Sequence, residues 1–219
     1  TLATNLVYRK DKFPNGGPQS WADFWDVKKF PGPRSLPASM ANRVLAYALM
    51  ADGVPHDKLY PLDVERAFKK LDEIKPHIDV WWSQGSQAEQ LIRDGEVSMI
   101  ALWNNRAVMM QQQNVPLELV WNDALVSDVV YGMVKGAKNA PLAWEFINYL
   151  ADAKRQAGFS SYLFYGAGNP EAYKLMTPDV LAALPGSDVH AKMVAFANSE
   201  WESVNGSKVT ERFTNWRAG

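Results

Sequence analysis

The hydrophobic positions of this chain change period several times, and each change marks an element. Leu6-Val7-Tyr8 is a short β-like run that stops at the charged block Arg9-Lys10-Asp11-Lys12 and empties into the turn-rich stretch Pro14-Asn15-Gly16-Gly17-Pro18. Ser20 followed by Asp23 is a helix-start signature, and Trp21, Phe24 and Trp25 give that short helix one aromatic face suited to anchoring a core. Ala41, Val44, Leu45, Ala48 and Leu49 recur at helical spacing up to Gly53, a natural stop. Val64, Ala67, Phe68, Leu71 and Ile74 repeat the pattern, with Glu65, Lys69, Lys70, Asp72 and Glu73 on the solvated side. Ile78-Asp79-Val80-Trp81-Trp82 then reads as a strand, 86–93 as a helix and 97–103 as a strand. A helix over 105–113, strands over 117–121 and 129–134, and an amphipathic helix carrying Ala143, Phe146, Ile147 and Leu150 follow. The last fifty residues read as short helical pieces parted by Gly168-Asn169-Pro170, Leu184-Pro185-Gly186 and Asn205-Gly206. Alternating helices and strands predict an α/β fold and not a run of hairpins.

Composition narrows the function classes. Of 219 residues, 47% are apolar and 21% charged, and 23 basic side chains nearly cancel 24 acidic ones, which suits a globular chain able to bury a sizeable core. A formal charge of -1 without a basic block gives no electrostatic reason to expect nucleic acid or an anionic membrane as partner. No apolar run approaches the ~20 residues that span a bilayer, so direct membrane insertion is not expected. The absence of cysteine excludes disulfides and thiolate chemistry and is compatible with cytoplasm or periplasm. The chain opens on Thr1 without a signal-peptide pattern, which reads as processed or trimmed.

Motifs for catalysis are missing as well. There is no Gly-x-Ser-x-Gly elbow, no paired-histidine zinc helix, no calcium loop and no phosphate-cradling glycine loop, so neither cofactor nor metal is expected. His56, His77 and His190 sit in loop-like contexts and read as surface residues. Asn205-Gly206-Ser207 matches a glycosylation acceptor, a pattern too short to carry weight. Paired carboxylates remain open, because their separation is a property of the fold. A sugar-active or acyl-transfer enzyme with an unrecognised site therefore stands as a competing reading.

Four stretches taken together resemble one family. They are Ser20-Trp21-Ala22-Asp23-Phe24-Trp25-Asp26; Ala101-Leu102-Trp103-Asn104-Asn105-Arg106; Val134-Lys135-Gly136-Ala137-Lys138-Asn139 leading into Ala143-Trp144-Glu145-Phe146-Ile147-Asn148; and Tyr165-Gly166-Ala167-Gly168-Asn169-Pro170-Glu171-Ala172. Their order and spacing, across nearly the whole chain, resemble the periplasmic solute-binding proteins of ABC importers, in the spermidine/putrescine branch. The resemblance implies a periplasmic-binding-protein-like (type II) architecture of two α/β lobes that close on ligand about a hinge. It also implies a periplasmic location, an inner-membrane ABC permease as partner, and no enzymatic step. By similarity, 10–122 and 170–219 make up the second lobe, and 1–9 with 123–169 supply crossover strands and part of the first. The opening of the first lobe, roughly a hundred residues, is absent, so this lobe is expected to be incomplete. An incomplete lobe would expose apolar surface, which leaves a partner-binding fragment that dimerises as a third reading.

The candidate ligand groups follow from strand ends and from the resemblance. Trp103 closes a predicted strand before a helix, the edge where α/β crevices open; its indole can stack on an aliphatic chain or attract an ammonium, or else serve the core. Arg106, one turn later, suits bidentate capture of a carboxylate. Asp128 falls at the family's amine-binding aspartate, to within one residue of register. Tyr165 matches the tyrosine opening the Tyr-x-x-x-Asn-Pro segment, and Glu202 follows Trp201 where the family places a polar contact. Polyamine binders of this family carry acids at the start of the helix over 40–52; this chain has Ser39, Met40 and Arg43 there. Lost acids and gained arginines argue against a ligand with several ammonium groups and no acid. The expected solute is small and amine-bearing, with a zwitterion such as an ω-amino acid or an opine favoured over a polyamine.

Overall fold

The computed structural model describes residues 1–219. In chain order the elements are β1 (Leu2–Arg9), α1 (Trp21–Trp25), β2 (Arg34–Pro37), α2 (Ala41–Ala51), α3 (Val64–Ile74), β3 (Ile78–Trp82), α4 (Gly85–Arg93), β4 (Met99–Trp103), α5 (Asn104–Gln112) and β5 (Leu117–Ser127). They continue with α6 (Ala140–Leu150), α7 (Ala153–Leu163), α8 (Pro170–Tyr173), α9 (Pro178–Ala182), β6 (Ala195–Phe196) and α10 (Ser199–Ala218).

One six-stranded mixed sheet, ordered β3-β2-β4-β1-β5-β6, organises the chain. β2 runs parallel to β3 and β4, β5 runs parallel to β6, and β1 alone is antiparallel, paired with β4 on one side and β5 on the other. The strand alternation is read out directly in the two cores. Leu6, Tyr8, Met99 and Ala101 face the larger core with α1, α2, α3 and α10, while Val7, Ile100 and Leu102 face a second core with α4 and α5. α1 is capped as its sequence predicts: Ser20 Oγ accepts from the Asp23 amide at 3.2 Å. Trp21 and Phe24 are fully buried, and Trp21 stacks on Tyr47 with centroids 4.1 Å apart.

Four expectations are corrected. Residues 129–134 form no strand; Val130 is 83% exposed, and without a neighbouring strand its β-branched pattern has no ladder to join. The strand expected over 117–121 runs on to Ser127, past an irregularity in the β1 pairing and a left-handed Asp123 (φ 61°). Asn205-Gly206 does not break the chain, since both lie inside α10. There a Cβ at 206 would stand 3.2 Å from Asn42 Nδ2, so the glycine serves close helix approach. His190 is buried, not a surface residue. Its ring stacks on Trp121 at 3.9 Å, and its Nε2 lies 2.8 Å from the Ala182 carbonyl oxygen. Two strands had no counterpart in the periodicity: β2, masked by its flanking prolines, and the two-residue β6.

α6 forms where the pattern predicts, yet none of its residues is buried: Leu142, Trp144, Phe146 and Tyr149 are all more than half exposed. No helix of the chain is long and apolar enough to cross a membrane.

Candidate functional site

Because β1 is antiparallel to both its neighbours, β2, β3, β4 and β5 end at the same edge of the sheet. α2, α4 and α5 begin there, so the partial positive charge of three helix N-termini gathers beside the strand ends. This edge is where open α/β sheets form ligand crevices.

Trp103 is the last residue of β4, half-buried, with its ring edge-on to Trp82 at 5.6 Å. Both indole N–H groups are buried and have no acceptor within the chain. One turn into α5, the Arg106 guanidinium carbon sits 5.3 Å from the centre of the Trp103 ring, and Arg106 Nη1 donates to Glu89 of α4. Glu89 uses part of a five-donor group and leaves the remaining N–H groups free to meet an acid. Two steps away across the sheet, Ser127 ends β5 and Asp128, exposed, follows it. Thr4 of β1 pairs with Trp103, and Leu2 with Ser127, so one strand separates the two rims, a lateral gap of roughly 10 Å. Arg43, half-buried near the start of α2, donates to Ser127 Oγ at 3.2 Å and to Met40 Sδ at 3.4 Å; no carboxylate of the chain pairs with it. Ser39 is exposed on the turn between β2 and α2.

Tyr165 reaches the same edge from another direction. Thr1 and Gly166 exchange hydrogen bonds at 2.7 and 2.9 Å, which lays the segment after α7 against the start of β1. The tyrosine ring, half-buried, tilts against Phe159 at 5.8 Å. Glu202 approaches the first turn of α2 from α10, beside Asn42. It accepts from the Tyr60 hydroxyl at 3.1 Å on the α10 side of α2, where burial first and the carboxylate second push the Tyr60 phenol well above its ordinary value. The structure thus gathers Trp103, Arg106, Arg43, Asp128, Ser39 and Tyr165 at one edge and sets Glu202 against a different neighbour.

Three residues of the edge were not singled out by sequence reasoning. Asn104, fully buried at the first position of α5, accepts from the Ala3 amide at 3.1 Å and donates to the Phe164 carbonyl at 2.8 Å, joining β4, β1 and the Tyr165 segment. Glu89 and Gly85 of α4 meet Arg106. An asparagine directly after a strand-ending tryptophan was the available signal for the first. For α4 there was only a glycine at a helix start. No group of three or more His, Asp or Glu side chains is placed to hold a metal ion.

A gamma-aminobutyric acid-binding protein of Pseudomonas aeruginosa is 37% identical over 206 residues, covering 92% of this chain and 58% of the relative. An ABC transporter substrate-binding protein from Bradyrhizobium japonicum USDA 110 superposes with a TM-score of 0.91 at 40% identity, over 98% of this chain and 67% of that one. The structure described as the Atu4243-GABA receptor gives 0.86 at 35% identity, over 99% and 66%. The chain therefore spans well under two thirds of the length of its Pseudomonas relative. Residues 2–186 match the family model described as bacterial extracellular solute-binding protein, which places the chain in that family.

Proposed function

We propose that this chain is the larger part of a two-lobe solute-binding protein that captures a small zwitterionic amino compound, with an ω-amino acid such as γ-aminobutyrate as the leading case, and delivers it to an ABC permease. The observation that carries this reading is the placement of cations and acid on opposite rims of one edge: Arg106 lies over Trp103 on β4 and α5, and Asp128 follows β5 one strand away. A carboxylate would meet Arg106 or the unpaired Arg43 beside three helix N-termini; the ammonium would meet Asp128, and the indole would cover the methylenes. The printed ligands of the Pseudomonas relative and of the Atu4243 receptor point to the same solute class.

Work of this kind needs no covalent step. Capture rests on a difference in affinity between open and closed states, with closure about the crossover strands. In this reading 10–122 and 170–219 form the second lobe, and 1–9 with 123–169 provide crossovers and part of the first. The exposed apolar side chains of α6 then face the rest of the first lobe, not a second copy. The protein acts in the periplasm.

Isothermal titration of the full-length protein tests the reading. γ-Aminobutyrate and its ω-amino homologues are expected to bind, and Asp128→Asn to weaken them. Tighter binding of putrescine or spermidine than of every zwitterion tried would overturn it.

A further inference from the structure

The residue that meets both Trp103 and Arg106 is a glycine. Gly85 opens α4, behind Gln84 at the cap. A Cβ placed on Gly85 would lie 2.6 Å from Trp103 Cζ3 and 2.8 Å from both Cζ and Nε of Arg106, separations that unbonded carbons do not tolerate. The backbone does not require glycine here, because Gly85 lies outside the left-handed region. Alanine would fit its conformation. What position 85 supplies is space.

The rest of α4 works on the same pair. One turn along, Glu89 accepts from the Arg106 guanidinium. Trp82, at the end of the strand that feeds α4, stands edge-on to Trp103 with 74° between the ring planes. The indole is therefore met by Trp82, by the bare backbone of Gly85 and by Arg106. A side chain at 85 has to displace the ring or the guanidinium, since the first turn of α4 is itself held by the Ser83 amide donating to Gln87 Oε1 at 2.9 Å.

We propose that Gly85 is a specificity-determining positioning residue of the solute site: the missing side chain lets the guanidinium stay over the indole, and that pair selects a solute offering methylenes to the ring and a carboxylate to the arginine. The proposal rests on the ω-amino acid reading above. A substitution here acts on recognition through Trp103 and Arg106 and leaves the amine contact at Asp128 in place. The penalty therefore falls on carboxylate-bearing solutes more than on an amine without an acid.

The test uses the full-length protein with Gly85→Ala, Arg106→Ala and the double variant, titrated with γ-aminobutyrate and putrescine. Tryptophan fluorescence is compared with and without Trp103→Phe, to isolate the signal of that indole. Gly85→Ala is expected to weaken γ-aminobutyrate at least tenfold, about 1.4 kcal/mol. It should shift the Trp103 signal, leave the thermal midpoint unchanged, and cost much less in the Arg106→Ala background. Wild-type affinity with an unshifted Trp103 signal overturns the proposal, as does a full additive loss in the double variant. If wild type binds no ω-amino acid, the solute reading fails by itself, and the Trp103 shift in Gly85→Ala still decides whether position 85 sets the ring.

Discussion

Arg106 rests on the face of Trp103, its guanidinium carbon 5.3 Å from the ring centre, and is tethered from the neighbouring helix by Glu89. The contact joins the end of a strand to the first turn of the helix that follows it. It converts two residues three positions apart in sequence into one surface, apolar on the ring and cationic at its rim. Glu89 fixes the cation without cancelling it, because both side chains remain about a third exposed.

That tether makes Glu89 a sensitive probe of the arginine. On the proposed reading, Arg106→Ala removes a charged hydrogen-bond donor from the solute carboxylate and is expected to weaken an ω-amino acid by about 10- to 100-fold. Glu89→Gln keeps the shape and one acceptor, so a smaller loss is expected. Titration calorimetry on both variants checks the order; equal losses would mean that Glu89 contacts the solute itself.

Asn104 ties the edge together from below. Asn104→Ala would leave the Ala3 amide and the Phe164 carbonyl without the partners they have now. Buried groups left unpaired cost about 1–3 kcal/mol each. Urea denaturation should show a loss of that order, and hydrogen exchange at the Ala3 amide should accelerate beyond what the global change accounts for. Asn104→Asp keeps the acceptor for Ala3 and loses both donors, so it should spare Ala3 protection and expose the Phe164 side.

His190 makes stability depend on pH. Burial holds its imidazole below the ordinary 6.5, against the smaller opposing effect of the Ala182 carbonyl. Nε2 carries the proton donated to Ala182, and the buried Nδ1 has no partner. The folded state thus prefers the neutral ring. Its contribution is fully present above pH 6.5 and is lost as pH falls below that value, where the unfolded chain takes up the proton first. Thermal melts from pH 7.5 to 5.5 should fall more steeply for wild type than for His190→Phe, which keeps the stack on Trp121.

Phe213 tests whether α10 is part of the main core. It is fully buried, edge-on to Trp81 at 5.7 Å and stacked near Trp216 at 5.6 Å. Phe213→Ala should cost about 3–5 kcal/mol in chemical denaturation. A loss confined to the helical signal of the last twenty residues would instead mark α10 as an independently fraying element.

Much of the candidate site was legible because it lies at element boundaries. Trp103 closes an apolar run of β-branched and long side chains, and Arg106 follows at one helical turn, so the sequence alone puts both at a strand-to-helix edge. Arg43 was legible as a departure from the acids expected at its helix start. The rest was hidden for physical reasons. Gly85 matters through a volume it does not fill, which no periodicity reports. Asn104 looks like a helix-start polar residue until β1 and the segment after α7 close over it. Glu202 kept its helix and found Tyr60, a partner 142 positions away that spacing cannot identify.

By itself the sequence determined the general alternation of strands and helices, the aromatic anchor at Trp21 and Phe24, the Ser20 cap, and Trp103 at the end of its strand, because these follow from local period and short-range hydrogen bonding. Tertiary structure decided what required distant chain segments to meet. β1 had to insert antiparallel between β4 and β5 before the ends of those strands, with Trp103 and Asp128, could lie one strand apart. The β-branched run at 129–134 stayed unpaired for want of a neighbour, and His190 was carried under Trp121 by the return of the chain to β5. A strand or a buried imidazole exists only when another part of the chain supplies its partner, and the local pattern does not contain that information.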